Sequence, residues 1–196
     1  MPDLTTTDER ALVLRAQDGD VAAFEVLVDL HQGRLFRIAY LVLHNRMDAE
    51  DVVQEALVSS WKRLHLLEEP SAFRAWVAQI VSRAATDVVR KAARRSTEGV
   101  DHKALEDAGP EAVLGGATGR NDGQPEHAAV AGAQMEALAA ILQSTEEKQR
   151  TCWVLREIDG MSYREIAQLV GASESTVRGR IARARSQILD RMKDWR

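Results

Sequence analysis

The feature that most constrains the fold is a three- and four-residue spacing of apolar side chains that recurs in three successive segments. Apolar residues at this spacing form one face of an α-helix, which other helices must then cover. The segments run from about Val21 to His44, from Asp48 to Leu64 and from Ser71 to Arg95. Asn45-Arg46 separates the first two, and Pro70 ends the second because proline disfavours a helical residue before it. We therefore expect a bundle of three or four helices.

The helical periodicity disappears after residue 95. Residues 96–133 are rich in glycine, include Pro110 and Pro125, and carry 7 acidic side chains against 2 basic ones. Such a composition predicts a flexible acidic linker. The expected fold class is all-α, with two small helical domains at residues 1–95 and 134–196.

Short helices with readable starts follow the linker. Ser144 and Ser162 each precede a glutamate three residues later, which is the capping-box pattern, and Ser173 is a third candidate N-cap. Gly171 lies between the last two helices, at the turn, and Ala167 is small enough for the helices to cross closely. This arrangement predicts a helix-turn-helix.

The last helix has an inward and an outward face. Val177, Ile181, Ala184 and Ile188 form the inward stripe. In a helix-turn-helix the outward face enters the major groove of DNA, where arginines bind guanine edges and phosphates. The candidate DNA-binding residues of this face are Ser175, Thr176, Arg178, Gly179, Arg180, Arg183 and Arg185. The alternative interpretation is a solvated basic helix face.

Charge is strongly segregated along the chain, although the formal net charge is only −4. Residues 1–60 carry 11 acidic and 5 basic side chains, whereas residues 82–95 carry 5 basic and 1 acidic, and residues 161–196 carry 8 basic and 4 acidic. A phosphate backbone responds to the local field rather than to the total charge. Two basic patches predict two contacts with a polyanion, and the acidic stretches predict at least one contact with a different partner.

The segment from Asp48 to Leu57, which is followed by Trp61, resembles a known family signature. The signature is region 2.2, the core-binding region of the extracytoplasmic-function (ECF) sigma factors in the sigma-70 family. Other blocks resemble this family in its own order: Asp20–Leu27 and Leu35–Ala39 (region 2.1), Phe73–Val77 and Asp87–Arg90 (regions 2.3 and 2.4), and Gln149-Arg150, Leu155–Tyr163 and Ser173–Arg185 (region 4).

The resemblance implies a promoter-specificity subunit that binds core RNA polymerase, through its β′ clamp helices and β flap, and promoter DNA. The implied polymerase-binding residues are Asp48, Glu50, Asp51, Gln54 and Glu55. Acidic side chains repel DNA and steer a basic protein partner, so the charge pattern agrees with this role. For an isolated helix, the alternative is an ordinary solvated face. The C-terminal domain is expected to read the −35 element as a duplex.

The first domain is expected to melt and capture the −10 element, with an extruded base held at the loop from Leu66 to Ser71. The candidate −10 residues are Arg74, Trp76, Arg83, Asp87, Arg90 and Lys91. Trp76 also lies on the apolar stripe, which favours packing in the core. The chain departs from the family pattern at Ser82-Arg83, where Arg-Asn is common, and at Ser175 and Gly179, where Gly and Ser are frequent.

No pattern indicates catalysis, a metal site or a cofactor, and no small-molecule substrate is expected. The histidines are scattered, and Cys152 is the only cysteine, which excludes an internal disulfide. The apolar runs are shorter than a membrane span and the first residues lack a signal-peptide layout, so we expect a cytoplasmic protein. The resemblance also implies an anti-sigma factor, which leaves open retention at the membrane.

Two other hypotheses fit parts of this pattern. The chain could be a stand-alone helix-turn-helix regulator whose N-terminal bundle dimerises or senses a signal. It could also be an interaction module that sequesters a protein partner without binding DNA. Promoter-dependent RNA synthesis with core polymerase distinguishes the initiation factor from both.

Overall fold

The computed structural model describes residues 4–97 and 138–192, and all regular secondary structure within them is helical. The helices are α1 (Leu4–Gln17), α2 (Val21–Leu43), α3 (Arg46–Arg63), α4 (Phe73–Thr97), α5 (residues 138–143), α6 (Glu147–Glu157), α7 (Tyr163–Val170) and α8 (Glu174–Met192), with single 3₁₀ turns at Leu64–Leu66 and Pro70–Ala72. The predicted all-α fold class is confirmed. The predicted linker lies outside the described residues from position 98 onward.

Local hydrogen bonds fix the junctions around α2. Asp20 caps its N-terminus by accepting a hydrogen bond from the backbone N–H of Ala23 at 3.1 Å, and this bond, helped by Arg15, lowers the pKa of Asp20. At the other end His44 adopts a left-handed conformation and donates its backbone N–H to Tyr40. Asn45 then caps α3. The break between the first two predicted helices therefore consists of two residues, His44 and Asn45.

Helix α1 was not predicted from the apolar spacing. Among its residues whose side chains are described, only Val13 and Ala16 are buried apolar residues, so its apolar stripe is too short to be recognised. Polar contacts tie it to the bundle instead. The Gln17 side-chain amide donates to the carbonyls of Leu64 and Leu67, at 3.0 and 2.7 Å.

The core of the N-terminal bundle lies between α2, α3 and α4. Leu27, Leu35, Ile38 and Phe73 are among its largest fully buried side chains. Trp76 is half-buried, packs against this core and lies beside Phe73, as the apolar stripe predicted.

The C-terminal helices form the predicted helix-turn-helix. Ser162 accepts a hydrogen bond from the Glu165 N–H, and the Glu165 carboxylate accepts one from the Ser162 N–H, which completes a capping box. Gly171 ends α7 with a φ of 64°, a conformation that favours glycine. Ser173 caps the start of α8. The cap predicted at Ser144 is wrong, because its hydroxyl donates to the Ile141 carbonyl and α6 begins only at Glu147.

The two halves of the chain pack against each other. Ile141, Leu142, Val154 and Ile188 join the same apolar core as the N-terminal bundle. A second core lies between α6, α7 and α8. Helix α6 therefore packs against α2, and helix α7 of the helix-turn-helix touches α4.

Candidate nucleic-acid interface

The N-terminal turn of α8 presents three hydroxyl groups to solvent. The Ser173 hydroxyl lies 2.9 Å from that of Ser175 and 2.8 Å from that of Thr176, and all three residues are exposed. Because the cap fixes Ser173, the two neighbouring hydroxyls are held in position before any ligand binds. Short polar side chains at this end of a recognition helix suit base edges and phosphates alike.

Arg178 stands one turn further along α8 with an ordered guanidinium group. It donates to the Glu174 carboxylate at 3.1 Å and lies 5.2 Å from the centre of the Tyr163 ring. Its side chain is 59% exposed, so the head group remains accessible. A stacked and paired guanidinium loses less conformational freedom when it binds a base.

The other predicted residues of α8 differ in accessibility. Arg183 and Arg185 are exposed, and Arg185 pairs with Glu157 at 2.6 Å, a contact that raises the pKa of Arg185. Gly179 and Arg180 are half-buried. Burial raises the pKa of the Cys152 thiol, and Arg180 partly offsets this increase, so Arg180 lies close to the core.

Helix α4 carries the residues predicted for the −10 element. Arg74, Arg83, Asp87, Arg90 and Lys91 are all exposed, whereas Trp76 belongs to the core. Arg90 lies 3.4 Å from Asp87 and donates to the carbonyl of Leu169, in α7, at 2.6 Å. The structure thus brings part of this set up against the helix-turn-helix.

The acidic residues of α3 form an exposed surface away from the core. Asp48, Glu50, Asp51, Gln54 and Glu55 are exposed, while Ala49, Val52, Val53 and Ala56 on the opposite side are buried. Arg46 pairs with Glu50 at 2.8 Å. A shallow groove lined by Gln54, Glu55, Val58, Ser59 and Lys62 continues this surface.

A polar junction between the two halves was not predicted from the sequence. Ser82 is buried on α4 and donates its hydroxyl to the Asp159 carboxylate at 2.7 Å. Arg34 of α2 lies 3.5 Å from the same carboxylate, whose side chain is only 2% exposed. No sequence pattern links Arg34, Ser82 and Asp159. Ser82 is, however, one of the residues at which the chain departs from the family pattern.

Burial shifts pKa values at this junction and at a second contact between the two halves, where Arg150 meets the end of α2. It raises the pKa of Asp159, against the opposing effects of Ser82 and Arg34. It also lowers the pKa of His44 to about 4, with a further decrease from the positive charge of Arg150. The Arg150 guanidinium is itself buried and donates to the Val42 carbonyl at 3.2 Å.

Comparisons with known proteins identify the family. Two family models match: Sigma-70 region 2 over residues 27–95, and Sigma-70, region 4 over residues 135–188. The RNA polymerase sigma-H factor of Pseudomonas aeruginosa is 31% identical over 185 residues, which cover 94% of each chain. The ECF RNA polymerase sigma-E factor of Escherichia coli K12 is 33% identical over 181 residues, 92% of each chain. The chain belongs to the ECF group of the sigma-70 family.

This ECF sigma factor also resembles solved structures along most of its length. The structure of CnrH in complex with the cytosolic domain of CnrY has a TM-score of 0.57 at 25% identity and covers 95% of this chain and 98% of CnrH. The sigma factor RpoE of Bartonella quintana, in complex with the anti-sigma factor NepR, has a TM-score of 0.53 at 23% identity over 86% of this chain and 94% of RpoE, and shows the same fold.

Family membership gives the general function. Sigma factors of this family bind core RNA polymerase and promoter DNA and direct the initiation of transcription. Within residues 4–97 and 138–192, none of the helices of this sigma factor is long and apolar enough to cross a membrane.

Proposed function

We propose that this sigma factor divides its work between two domains, with residues 1–95 binding core polymerase and the −10 element and residues 134–196 binding the −35 element. Residues 96–133 join them and let them reach both elements. The observation that supports this division most strongly is the segregation of exposed charge, with acidic residues on α3 and basic residues on α4 and α8.

Core polymerase binds the acidic surface of α3, in this proposal through basic clamp helices. Asp51 and Glu55 are exposed and separated by one helical turn, so one partner helix can contact both. Asp48 and Glu50 extend the same negative field toward the N-terminus of α3. Electrostatic complementarity of this kind mainly accelerates association and selects the partner.

The −10 element binds along α4 after the strands separate. Arg74, Arg83, Arg90 and Lys91 hold the backbone of the single strand, and Asp87 supplies a hydrogen-bond acceptor on the same helix. A base leaves the stack to enter the corner before α4, between Leu66 and Ser71. Extrusion of a base costs a few kcal/mol, which contacts with the backbone and the base must offset.

The −35 element binds the N-terminal half of α8 as a duplex. Ser175, Thr176 and Arg178 face its base edges, with Arg178 the first candidate for guanine. Arg183 and Arg185 bind phosphates. The half-buried Gly179 and Arg180 border this surface, and the lack of a side chain at Gly179 allows a close approach of the helix to the groove.

The protein acts without catalysis of its own and in the cytoplasm, where core polymerase and DNA are found. We further propose control by an anti-sigma factor. The support for this step is the likeness to CnrH, which was solved with the cytosolic domain of CnrY. Such a partner would bind this sigma factor in place of polymerase.

The test is transcription by purified core polymerase on a library of duplexes with randomised −35 and −10 elements. RNA from the core enzyme plus this chain is sequenced and compared with RNA from the core enzyme alone. We expect a restricted set of promoters that depend on the added chain. If the chain binds DNA but yields no promoter-dependent RNA, it acts as a stand-alone regulator. If it neither binds DNA nor yields such RNA, it is an interaction module.

A further inference from the structure

Two neighbours hold Arg178 at the start of the recognition helix. Its Nη2 group donates to the carboxylate of Glu174, one turn earlier on α8, at 3.1 Å. The ring of Tyr163, on α7, lies 5.2 Å from the carbon of the guanidinium group, within the range of a cation–π contact. More than half of the Arg178 side chain is still exposed. The guanidinium group is therefore oriented and open to a ligand at the same time.

Tyr163 is a fixed support for this contact. It is the first residue of α7, directly after the capping box at Ser162, and it is half-buried against the second apolar core. The Arg156 guanidinium lies 4.7 Å from the centre of the same ring and donates to the Met161 carbonyl at 2.8 Å. The orientation of Arg178 is thus set by contacts that connect α6, α7 and α8.

Glu174 is an acidic residue on a surface assigned to DNA. It is the first residue of α8 and its side chain is 44% exposed. A carboxylate beside DNA phosphates repels them, so Glu174 lowers the total affinity of this surface for DNA. An acidic residue in the first turn also stabilises a helix through its dipole. That purely structural role does not require the contact with Arg178.

An arginine on such a surface has two kinds of DNA ligand. Phosphate binds to it at any sequence, whereas guanine binds through its O6 and N7 atoms to two N–H groups of the planar guanidinium. The Glu174 carboxylate competes with phosphate for the charge of Arg178. It uses one N–H group of Nη2 and leaves the others free for a guanine edge. The pairing therefore weakens the sequence-independent contact more than the base contact.

We propose that Glu174 is a specificity-determining residue of the −35-binding surface, because together with Tyr163 it holds Arg178 in an orientation that binds guanine and weakens the binding of Arg178 to phosphate. This inference rests on the proposed −35 role of α8. Glu174 and Tyr163 are positioning residues that act through Arg178. They raise base discrimination, and Glu174 does so while lowering total affinity.

The first experiment measures base preference with core polymerase and the full chain on the library with randomised −35 elements. Arg178→Ala identifies the position whose guanine preference depends on Arg178. Glu174→Gln keeps the shape of the side chain and removes its charge. Glu157→Gln is the matched control, because Glu157 is also exposed and pairs with another arginine of α8, Arg185, at 2.6 Å. Arg185 is assigned to phosphate rather than to a base.

The two glutamine variants should differ in base preference. A bidentate arginine distinguishes guanine from other bases by about 5- to 150-fold. In Glu174→Gln the guanine preference at the position identified by Arg178→Ala should fall by about threefold or more, because orientation supplies part of this discrimination. In Glu157→Gln the preference should stay at the wild-type value.

The second experiment measures affinity for a duplex of random sequence by fluorescence anisotropy over a range of salt concentrations. Both glutamine variants remove one negative charge, so both should bind this duplex more tightly than the wild-type chain. In Glu174→Gln the freed Arg178 should bind one further phosphate, which steepens the dependence of log K on log salt concentration by about 0.9. Tighter binding shared by the two variants, with loss of base preference in only one, separates the specific effect from the change in total charge.

The third experiment tests the contribution of the Tyr163 ring. Tyr163→Phe keeps the ring and should retain the guanine preference, whereas Tyr163→Leu removes the ring and should lower the preference by about twofold or more. Circular dichroism verifies that each variant is folded.

The outcomes separate this inference from the proposed function. If the wild-type chain with core polymerase selects no −35 sequence, the proposed function fails. If it selects one, but Glu174→Gln keeps the wild-type guanine preference, the inference is overturned and the proposed function stands. A lower melting temperature of Glu174→Gln with unchanged base preference would leave Glu174 only its effect on the helix dipole, and also overturns the inference. So does an Arg178→Ala variant that loses preference at no position.

Discussion

His44 makes the stability of this sigma factor sensitive to acid. Its imidazole is half-buried at the end of α2 near the Arg150 guanidinium, and its Nε2 is enclosed and has no hydrogen-bond partner within the described residues. Burial, together with this positive neighbour, lowers the pKa of His44 from the ordinary 6.5 to about 4. Protonation would place a second, unpaired cation in the same site.

The sign of the effect follows from proton linkage. Between pH 6.5 and 4 the unfolded chain binds a proton at His44 and the folded chain does not, so stability falls as the pH decreases through this window. The difference in pKa, at about 1.4 kcal/mol per unit, corresponds to about 3 kcal/mol at full extent. Asp159 acts in the opposite direction, because its pKa is raised in the folded state.

Urea unfolding at pH 7.5 and pH 4.5, followed by circular dichroism, measures this loss. His44→Asn is the comparison variant, since asparagine tolerates the left-handed backbone of position 44. The wild-type chain should lose about 2 kcal/mol more than the variant between the two pH values. If both lose the same amount, or if the His44 imidazole titrates near pH 6.5 by NMR, the reasoning is refuted.

Three further substitutions test individual contacts. Arg178→Ala should weaken binding to the selected −35 duplex, measured by fluorescence anisotropy, by about 1–3 kcal/mol and leave the affinity for core polymerase unchanged. Arg191→Ala is the control on the same helix. Equal weakening on every DNA sequence would argue against base readout. Gly171→Ala should lower the free energy of unfolding by about 1 kcal/mol because of the positive φ of Gly171. Gly179→Ala should leave stability equal or higher, because an added Cβ in mid-helix would meet only the Arg183 guanidinium, at an ordinary contact distance of 3.7 Å; the opposite order would contradict this account. Ser162→Ala removes half of a capping box and should cost about 1 kcal/mol in thermal unfolding, and an unchanged melting temperature would contradict the cap.

The helices that carry a long apolar stripe could be predicted from the sequence. Helices α2 to α4 bury side chains over three or more turns, and α7 and α8 have a capping box and a turn glycine, so local chemistry specifies them. Among its described side chains, helix α1 buries too few apolar residues to give such a signal. The N-cap expected at Ser144 failed because a hydroxyl can also donate backward, here to Ile141, and the sequence does not distinguish the two.

The candidate surfaces were partly predictable for the same reason. Exposed acidic residues of α3 and basic residues of α8 lie on the side opposite a recognisable apolar stripe, so their outward orientation follows from helical geometry. The hydrogen bond between Ser82 and Asp159 does not follow from it, because the two residues are 77 positions apart and each is a single polar residue. Ser82 points into the interface, and its neighbour Arg83 points to solvent.

Binding of core polymerase by the acidic surface of α3 is the central claim, and a charge reversal tests it most directly. Asp51→Lys and Glu55→Lys are combined in the full chain, and affinity for core polymerase is measured beside a matched double reversal on α2, Glu25→Lys with Asp29→Lys, which are also exposed and four residues apart. The account predicts that only the α3 reversal abolishes core binding, while both variants still bind the selected −35 duplex. Equal affinity of the two variants for core polymerase would contradict it.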